Sequence, residues 1–248
     1  MPQLIDLFLS TKAQQAASLP DFRVGVKNAT DDEPAEIVLY GEIGNPWEAM
    51  DAKSVSNFLR HNKGKAVNVR INSPGGLAFD GITIHNALAA HDAKVTTIIE
   101  GMAGSAASIV AMAGTPVQMY ENAQLFIHRA SVIAVGNVDV MAEAQDWLKK
   151  IDDALARTYK AKTGRGIEKI NAWMRGKVDG TIFSAKEAQG EKFVDEVVAL
   201  KPGEKRSRAS AAFDATVLRR EGERRLRSME VARAQRLRER RDLFVPAE

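Results

Sequence analysis

Strand-like and helical segments alternate through the first half of this chain, and no other feature of the sequence restricts its possible folds as strongly. β-branched and aromatic residues predict strands at 37–43, 66–71, 95–99, 117–120 and 124–128. Helical spacing of apolar residues predicts helices at 49–61, 79–90 and 105–113. Strands separated by helices of this length predict an α/β fold built from right-handed crossovers.

Two stretches rich in glycine are predicted to be turns between these elements. Residues 72–76 read Asn-Ser-Pro-Gly-Gly, where Pro74 fixes φ and the glycines permit conformations closed to other residues. Residues 101–104 are predicted to turn the chain into the helix at 105–113. That helix consists almost wholly of small and aliphatic residues, so we expect it to be buried on all sides.

The second half of the chain predicts one long helix and several short elements. Apolar residues recur at helical spacing over 137–162, and Gly164 is the predicted C-cap, so this helix is long enough to protrude from a compact domain. The elements predicted after it are a helix at 167–174, a second helix from 185 and a short strand at 194–200. Ser184 and Glu187 have the spacing of a capping box at the start of the second helix.

Charge and breaker residues divide the chain into three predicted parts. Residues 1–35 are an N-terminal extension, 36–200 hold one core domain, and 201–248 form a basic helical tail. The tail carries 14 Lys and Arg against 8 Asp and Glu, whereas the rest of the chain is slightly acidic. The tail lacks the interleaved aromatic residues of single-strand nucleic-acid binders. Its helix at 205–241 is therefore interpreted as a docking or coiled-coil segment in preference to a segment that contacts nucleic-acid phosphates.

Composition also excludes several kinds of protein. The chain has no cysteine, which excludes a disulfide framework, a thiol nucleophile and a Cys-type metal site. Its first residues do not have the pattern of a signal peptide, and no apolar segment reaches membrane-spanning length. We therefore expect a cytoplasmic protein with no membrane partner, no metal and no cofactor.

Ser105 lies in the small-residue sequence Ala-Gly-Ser-Ala-Ala. A nucleophile elbow needs small residues two before and two after the serine, and Ala103 and Ala107 meet that steric demand. A helix starting just after the serine would direct its N–H groups and positive dipole end at an oxyanion. The same pattern also fits Ser105 and Ser108 as ordinary small residues of a buried helix.

His128 ends the apolar strand Leu-Phe-Ile-His and is one of four histidines in the chain. It is the only one that combines an apolar strand with a terminal position, where site residues tend to lie in α/β folds. A histidine that simply satisfies its hydrogen bonds at a strand end is the alternative. A serine, a histidine and the glycine pair Gly75–Gly76 together are what acyl transfer requires: a nucleophile, a base and an anion-binding loop.

These motifs, in this order, resemble the Clp protease proteolytic subunit family. The matching segments are NSPGG at 72–76, a Gly-x-Ala-small-Ser motif that ends 30 residues after Gly75, and a strand ending in Ile-His. Their fuller wording, VRINSPGGLAFDGITIHNAL, GMAGSAASIVAMAG and ENAQLFIHRA, resembles the phage branch of head-maturation (prohead) proteases. The resemblance covers about residues 36–200. It implies a ClpP/crotonase-like superfold of stacked βαβ units with a protruding handle helix at 138–162.

The resemblance also implies a role for each matching residue. Ser105 would be the nucleophile, and His128 the general base that takes its proton and later protonates the leaving amine. The backbone N–H groups of Gly76 and Ala106 would form the oxyanion hole, and Gly75 would shape the turn. Leu77 would begin a strand-like edge that pairs with an extended substrate.

The acid of the implied triad departs from the family pattern. The family has an acidic residue four positions before the Ser of the Phe-Ser-Ala segment, and that position is Gly180 here. Asp179 is the nearest candidate, with Asp195 as an alternative. An Asp-Gly pair is also common in turns, so Asp179 has an ordinary structural interpretation as well.

The resulting expectation is a serine endopeptidase that acts on phage head or scaffold proteins during capsid maturation. Its partners would be polypeptide substrates, further copies of itself in a closed ring, and a capsid shell that the 205–241 helix docks to. It would act in the host cytoplasm, within the prohead. The alternatives are a non-enzymatic assembly protein on an inactive protease body, a crotonase-type acyl-CoA enzyme, and a peptidase with a serine–lysine dyad.

Overall fold

The computed structural model describes residues 26–30, 33–44, 51–177 and 179–199. The strands are β1 Val26–Lys27, β2 Ala35–Ile43, β3 Val67–Gly76, β4 Val95–Gly104, β5 Val117–Tyr120, β6 Gln124–Ile127, β7 Thr181–Ser184 and β8 Glu196–Val198. The helices are α1 Ala52–His61, α2 Ala78–Ala89, α3 Ala106–Ala111, α4 Val138–Thr163, α5 Ile167–Arg175 and α6 Ala185–Gly190. The predicted extension at 1–35 is largely, and the tail at 201–248 wholly, outside the described residues, so the domain boundaries stay predictions.

The strands of the described residues form one sheet in the order β1-β2-β3-β4-β5-β8. From β2 onward the neighbours on this path are parallel, as the βαβ pattern predicts. Strand β3 alternates buried and more exposed residues, whereas three successive residues of β4, Thr97, Ile98 and Ile99, are all buried. Helices α2 and α3 pack on β3, and α1 packs on α2. The six residues of α3 are all buried, which confirms the expectation for this small-residue helix.

Strand β4 forks, and the fork positions the site described below. Its first half pairs with β5, from Thr97 opposite Val117 onward. Its second half pairs with β6, where Gly104 lies opposite Phe126. The ends of β4 and β6 therefore lie side by side, although more than 20 residues of chain separate them.

The two predicted turns at 72–76 and 101–104 are wrong. Strand β3 continues to Gly76, since Ile43 of β2 pairs with Gly76 and Ser73 pairs with Ala103 of β4. Strand β4 likewise continues to Gly104 through its pairing with β6. Register shifts in the β2–β3 and β3–β4 pairings absorb the irregular residues, so tertiary pairing overrides the local preference for a turn.

The predicted long helix is confirmed as α4. Its N-cap is Asn137, whose side chain accepts a hydrogen bond from the Val140 N–H at 3.1 Å. It ends at the left-handed Gly164, with φ of 67°. The predicted capping box of Ser184 and Glu187 is also present at the start of α6.

Strand β7 was not predicted from the sequence. It is four residues long and pairs antiparallel with β6, with Thr181 opposite Ile127. This pairing brings the residues just before β7 to the end of β6. Across the described ranges, no helix combines the length and the apolar character needed to span a bilayer.

Candidate active site

Ser105 and His128 meet at the point where β4 and β6 end. The Ser105 N–H donates to the Phe126 carbonyl at 2.9 Å, which continues the ladder between the two strands by one residue. The Ser105 Oγ and the His128 Nε2 lie 2.7 Å apart. Both residues are half-buried, so this hydrogen bond lies close to the surface of the molecule.

The backbone of Ser105 is strained. Its φ is 50° and its ψ is −124°, a conformation that residues with a side chain rarely adopt. Strand β4 ends on one side of this residue and α3 begins at Ala106 on the other. Such strain persists only where the surrounding structure enforces it, and it is typical of a nucleophile on a sharp strand-to-helix turn.

The imidazole of His128 is held from two sides. The Phe126 ring stacks on it, with ring centroids 4.9 Å apart and planes inclined by 16°. On the far side from Ser105, its Nδ1 lies 3.3 Å from Asp179 Oδ1. In the tautomer that carries its proton on Nδ1, the ring donates to Asp179 and accepts from the Ser105 hydroxyl, which is the arrangement a general base requires.

Asp179 reaches His128 from the chain just before β7, and its side chain is 69% exposed. The neighbouring Gly180 has φ of 83°, and a Cβ there would lie 2.3 Å from the Ile127 carbonyl oxygen and 2.5 Å from His128 Cβ. No side chain fits at position 180. In this backbone conformation an acidic side chain can therefore stand at 179 but not at 180.

Asp195, the alternative acid, is not at this site. Its Oδ2 accepts hydrogen bonds from the Val117 N–H at 2.7 Å and from Lys162 Nζ at 2.6 Å. It therefore connects β5 to the end of α4. Of the two predicted acids, the structure brings only Asp179 to His128.

Gly75 and Gly76 do not form a turn; they let the main chain of β3 lie very close to neighbouring segments. A Cβ on Gly75 would lie 2.5 Å from Ser105 Cβ and 3.0 Å from the Ala106 nitrogen. A Cβ on Gly76 would lie 2.1 Å from the Ile43 carbonyl oxygen. Both have positive φ, 110° and 149°, so glycine is required by conformation as well as by space. The end of β3 is thereby placed directly against Ser105.

The structure shows no strand-like edge that begins at Leu77, and pairing of this residue with a substrate stays a prediction. Leu77 is the N-cap of α2, so the chain becomes helical immediately after it. Its N–H donates to the Ile43 carbonyl at 3.0 Å, and its own carbonyl accepts from the Gly81 N–H at 3.0 Å. Its N–H is thus occupied within the subunit, whereas its carbonyl oxygen keeps a second lone pair.

Three residues near the site had no signal in the sequence: Asp152, Ser108 and Tyr159. Asp152 lies on α4 and accepts a hydrogen bond from the Ala130 N–H at 2.8 Å, just after His128. It depends on a contact between a helix and a strand end 22 residues away, which no local pattern reveals.

Within the described ranges, no group of His, Asp and Glu residues is placed to hold a metal ion.

Burial raises the pKa of Asp152 above its ordinary value of 3.8, against the opposing effects of the Ala130 N–H and the Arg129 charge. Its folded form therefore binds a proton more readily than the unfolded chain does. This contribution to stability is complete below pH 3.8 and is lost as the pH rises through the raised pKa. We expect the unfolding free energy of Asp152→Asn to fall less steeply than that of the wild type between about pH 4 and 6, as measured by urea unfolding.

Asp146→Asn, at a 68% exposed position of the same helix that does not act on the pKa of Asp152, is the matched control and should keep the wild-type slope. Equal slopes for wild type and Asp152→Asn would contradict the assignment of this pH dependence to Asp152.

Comparison with known proteins gives one family. The family model described as Clp protease matches residues 33–201. Two curated relatives, both named ATP-dependent Clp protease proteolytic subunit, come from Chlorokybus atmophyticus and Mesostigma viride. Each is 32% identical over 108 residues, which is 43% of this chain and 48% and 47% of the respective relative. The alignment thus spans about half the length of these curated relatives.

A solved structure gives the same fold. A ClpP1 mutant from Listeria monocytogenes superposes with a TM-score of 0.57 at 23% sequence identity. The superposition covers 68% of this chain and 94% of the other. It confirms the ClpP-like α/β fold that the sequence predicts.

Proposed function

This chain belongs to the Clp protease family, and from that premise we propose that it is a serine endopeptidase that works through an acyl-enzyme on Ser105. The observation that carries the proposal is the 2.7 Å contact between Ser105 Oγ and His128 Nε2, at a serine with strained backbone. A serine with only a structural role in a buried helix requires neither this contact nor a strained backbone. A crotonase-type acyl-CoA enzyme works with carboxylates and does not require a serine–histidine pair.

The proposed reaction begins with attack of Ser105 Oγ on the carbonyl carbon of a peptide bond while His128 Nε2 takes the hydroxyl proton. The main-chain N–H groups of Gly76 and Ala106 stabilise the oxyanion of the tetrahedral intermediate. His128 then gives its proton to the leaving amine, and the acyl group stays on Ser105. A water molecule, activated by the same imidazole, releases the acid and restores the hydroxyl.

Asp179 is proposed to orient the imidazole and to stabilise its protonated form. Because its side chain is 69% exposed and 3.3 Å from Nδ1, water can replace much of what it contributes. We expect Asp179→Asn to lower kcat by only about 10-fold, far less than the about 10⁴-fold loss caused by removing a buried triad acid. Steady-state kinetics on a fluorogenic peptide measures this.

Asp153→Asn removes a carboxylate from the exposed side of α4 and serves as its control. A loss for Asp179→Asn as large as that for a nucleophile variant would contradict the minor role given to this carboxylate.

The substrate proposed is a phage head or scaffold protein, and the site proposed is the assembling prohead in the host cytoplasm. The amino-acid sequences of the three motifs around Gly75, Ser105 and His128 resemble the prohead branch of the family and support this substrate class. The basic composition of residues 201–248 supports a docking segment for the capsid shell. Both are finer proposals than peptide hydrolysis itself and are tested separately from it.

We further propose that the subunits assemble into a closed ring, with the α4 region as the contact between subunits. Ile133, Val135 and Val138, at and just before the start of α4, are 87%, 77% and 78% exposed. Large aliphatic side chains this exposed are typical of a surface that another protein covers. These exposed side chains support the interpretation of α4 as the handle helix, through which subunits contact one another.

Co-expression with candidate coat and scaffold proteins, wild type against Ser105→Ala, tests the function. Mass spectrometry of the products should show new termini only with the wild type. Labelling of purified protein by a fluorophosphonate at Ser105 tests the chemistry independently of the substrate. Labelling without coat cleavage would leave the serine hydrolase standing and remove the capsid role, whereas no labelling would favour an inactive assembly protein.

A further inference from the structure

Two buried hydroxyl groups connect the long helix α4 to the main chain of Ser105. They belong to Tyr159 on α4 and Ser108 on α3. Ser108 Oγ lies 2.7 Å from Tyr159 OH and 2.5 Å from the Ser105 carbonyl oxygen. The Ser108 N–H donates to the same carbonyl at 3.0 Å. The Ser105 carbonyl thus accepts two hydrogen bonds from Ser108.

The direction of this hydrogen-bond chain follows from counting protons. A serine hydroxyl has one proton, and a carbonyl oxygen can only accept. Ser108 therefore donates to the Ser105 carbonyl, and Tyr159 must be the donor to Ser108 Oγ. Burial raises the pKa of Tyr159, against the opposing effect of its bond to Ser108, so its hydroxyl stays a donor at neutral pH.

The carbonyl that receives this chain belongs to the peptide group whose N–H is on Ala106. A peptide group is planar, so fixing its oxygen also fixes the direction of its N–H. Hydrogen bonds accepted by the oxygen polarise the group and make the N–H a stronger donor. Ala106 N–H is one of the two oxyanion donors in the proposed reaction.

We propose that Tyr159 and Ser108 are positioning residues that orient and polarise the Ser105–Ala106 peptide group for oxyanion binding. The proposal rests on the proposed peptidase function and adds to it a connection between α4 and the oxyanion hole. The two residues touch no substrate. They act through the peptide, because bonds to the Ser105 carbonyl oxygen hold the ψ of −124° at this strained residue.

Kinetics of Tyr159→Phe, Ser108→Ala and the double variant tests this. For Ser108→Ala we expect kcat to fall by about 10-fold, less than the 10²–10³-fold cost of deleting an oxyanion donor, with KM unchanged. Tyr159→Phe should fall by about 3-fold, in line with the modest strengthening that one further bond in a chain gives. The double variant should be no slower than Ser108→Ala, because the chain is already broken.

Two further measurements separate positioning from general stability. The affinity for a peptide boronate, whose tetrahedral adduct places an oxygen in the oxyanion hole, should fall in parallel with kcat/KM. The pH midpoint of activity should stay at the wild-type value, since the chain does not contact His128. A shifted midpoint would indicate a disturbed imidazole and would overturn the proposal.

Thr97→Val is the matched control. Thr97 is also buried, and its Oγ1 donates to the Ala111 carbonyl at 2.8 Å, at the opposite end of the same helix α3. It should lose stability with wild-type kcat. The positioning role would be overturned if Ser108→Ala and Tyr159→Phe kept the wild-type kcat, or if Thr97→Val lost as much kcat as they do. A wild type that neither hydrolyses peptides nor reacts with a fluorophosphonate would instead overturn the proposed function, and with it the positioning role.

Discussion

Ser105→Ala is expected to lower kcat for peptide hydrolysis by about 10⁴-fold or more, with the fold intact. The change removes the only atom proposed to bond covalently to the substrate, and it leaves the oxyanion donors and substrate contacts in place. Alanine has nearly the same backbone restrictions as serine, so the strained φ of 50° is no harder to hold. Kinetics on a fluorogenic peptide and the circular dichroism spectrum measure the two parts of the expectation.

Ser56→Ala is the control for this variant. Ser56 is a half-buried serine on α1, and its hydroxyl donates to the Ala52 carbonyl within that helix. It should retain wild-type activity and fluorophosphonate labelling. Peptide hydrolysis by Ser105→Ala at the wild-type rate would disprove the acyl-enzyme mechanism. Activity that survives His128→Ala, but not Ser105→Ala, would favour the serine–lysine alternative.

Gly75→Ala is expected to lower kcat by about 100-fold although it replaces no proposed catalytic side chain. The added methyl group would lie 2.5 Å from Ser105 Cβ, at least 1 Å closer than the optimal carbon–carbon distance of about 3.5–4.0 Å. Because Gly104 and Ala106 crowd the same position, Ser105 must move. A misplacement of about 1 Å costs about 10²-fold in rate.

Gly64→Ala separates this displacement from simple backbone strain. Gly64 also has positive φ, 72°, but a Cβ there meets nothing within 4 Å. Its alanine variant should lose about 1–2 kcal/mol of stability and no activity. Gly75→Ala should lose a similar amount of stability through backbone strain and, in addition, displace Ser105. If both variants kept wild-type kcat, close approach of β3 to Ser105 would have no part in the reaction.

The sequence predicts well what depends on local pattern. The ends of α4 follow from Asn137 and Gly164, and the start of α6 follows from its capping box. Ser105 and His128 were found from small neighbours, a strand end and the family motifs. Their geometric meeting is confirmed by the 2.7 Å contact, whereas their roles stay predictions.

What the sequence did not predict depends on pairing between distant segments. The segment at 72–76 has the composition of a turn, yet it is a strand because β2 and β4 hold it on both sides. Strand β7 has little pattern of its own and exists through its pairing with β6. Tyr159 and Ser108 are 51 residues apart, so their contact becomes visible only when α4 packs against α3.

Because β4 forks, the proposed catalysis depends on the register in which β6 pairs with it. Ser105 and His128 face each other because Gly104 pairs with Phe126, not because of the length of chain between them. If β6 slipped by one position, it would carry the imidazole about 3.3 Å along the strand and rotate it to the opposite surface of the sheet. Such a molecule would be compact yet inert, so turnover itself would distinguish correctly threaded subunits from near-native misfolded ones.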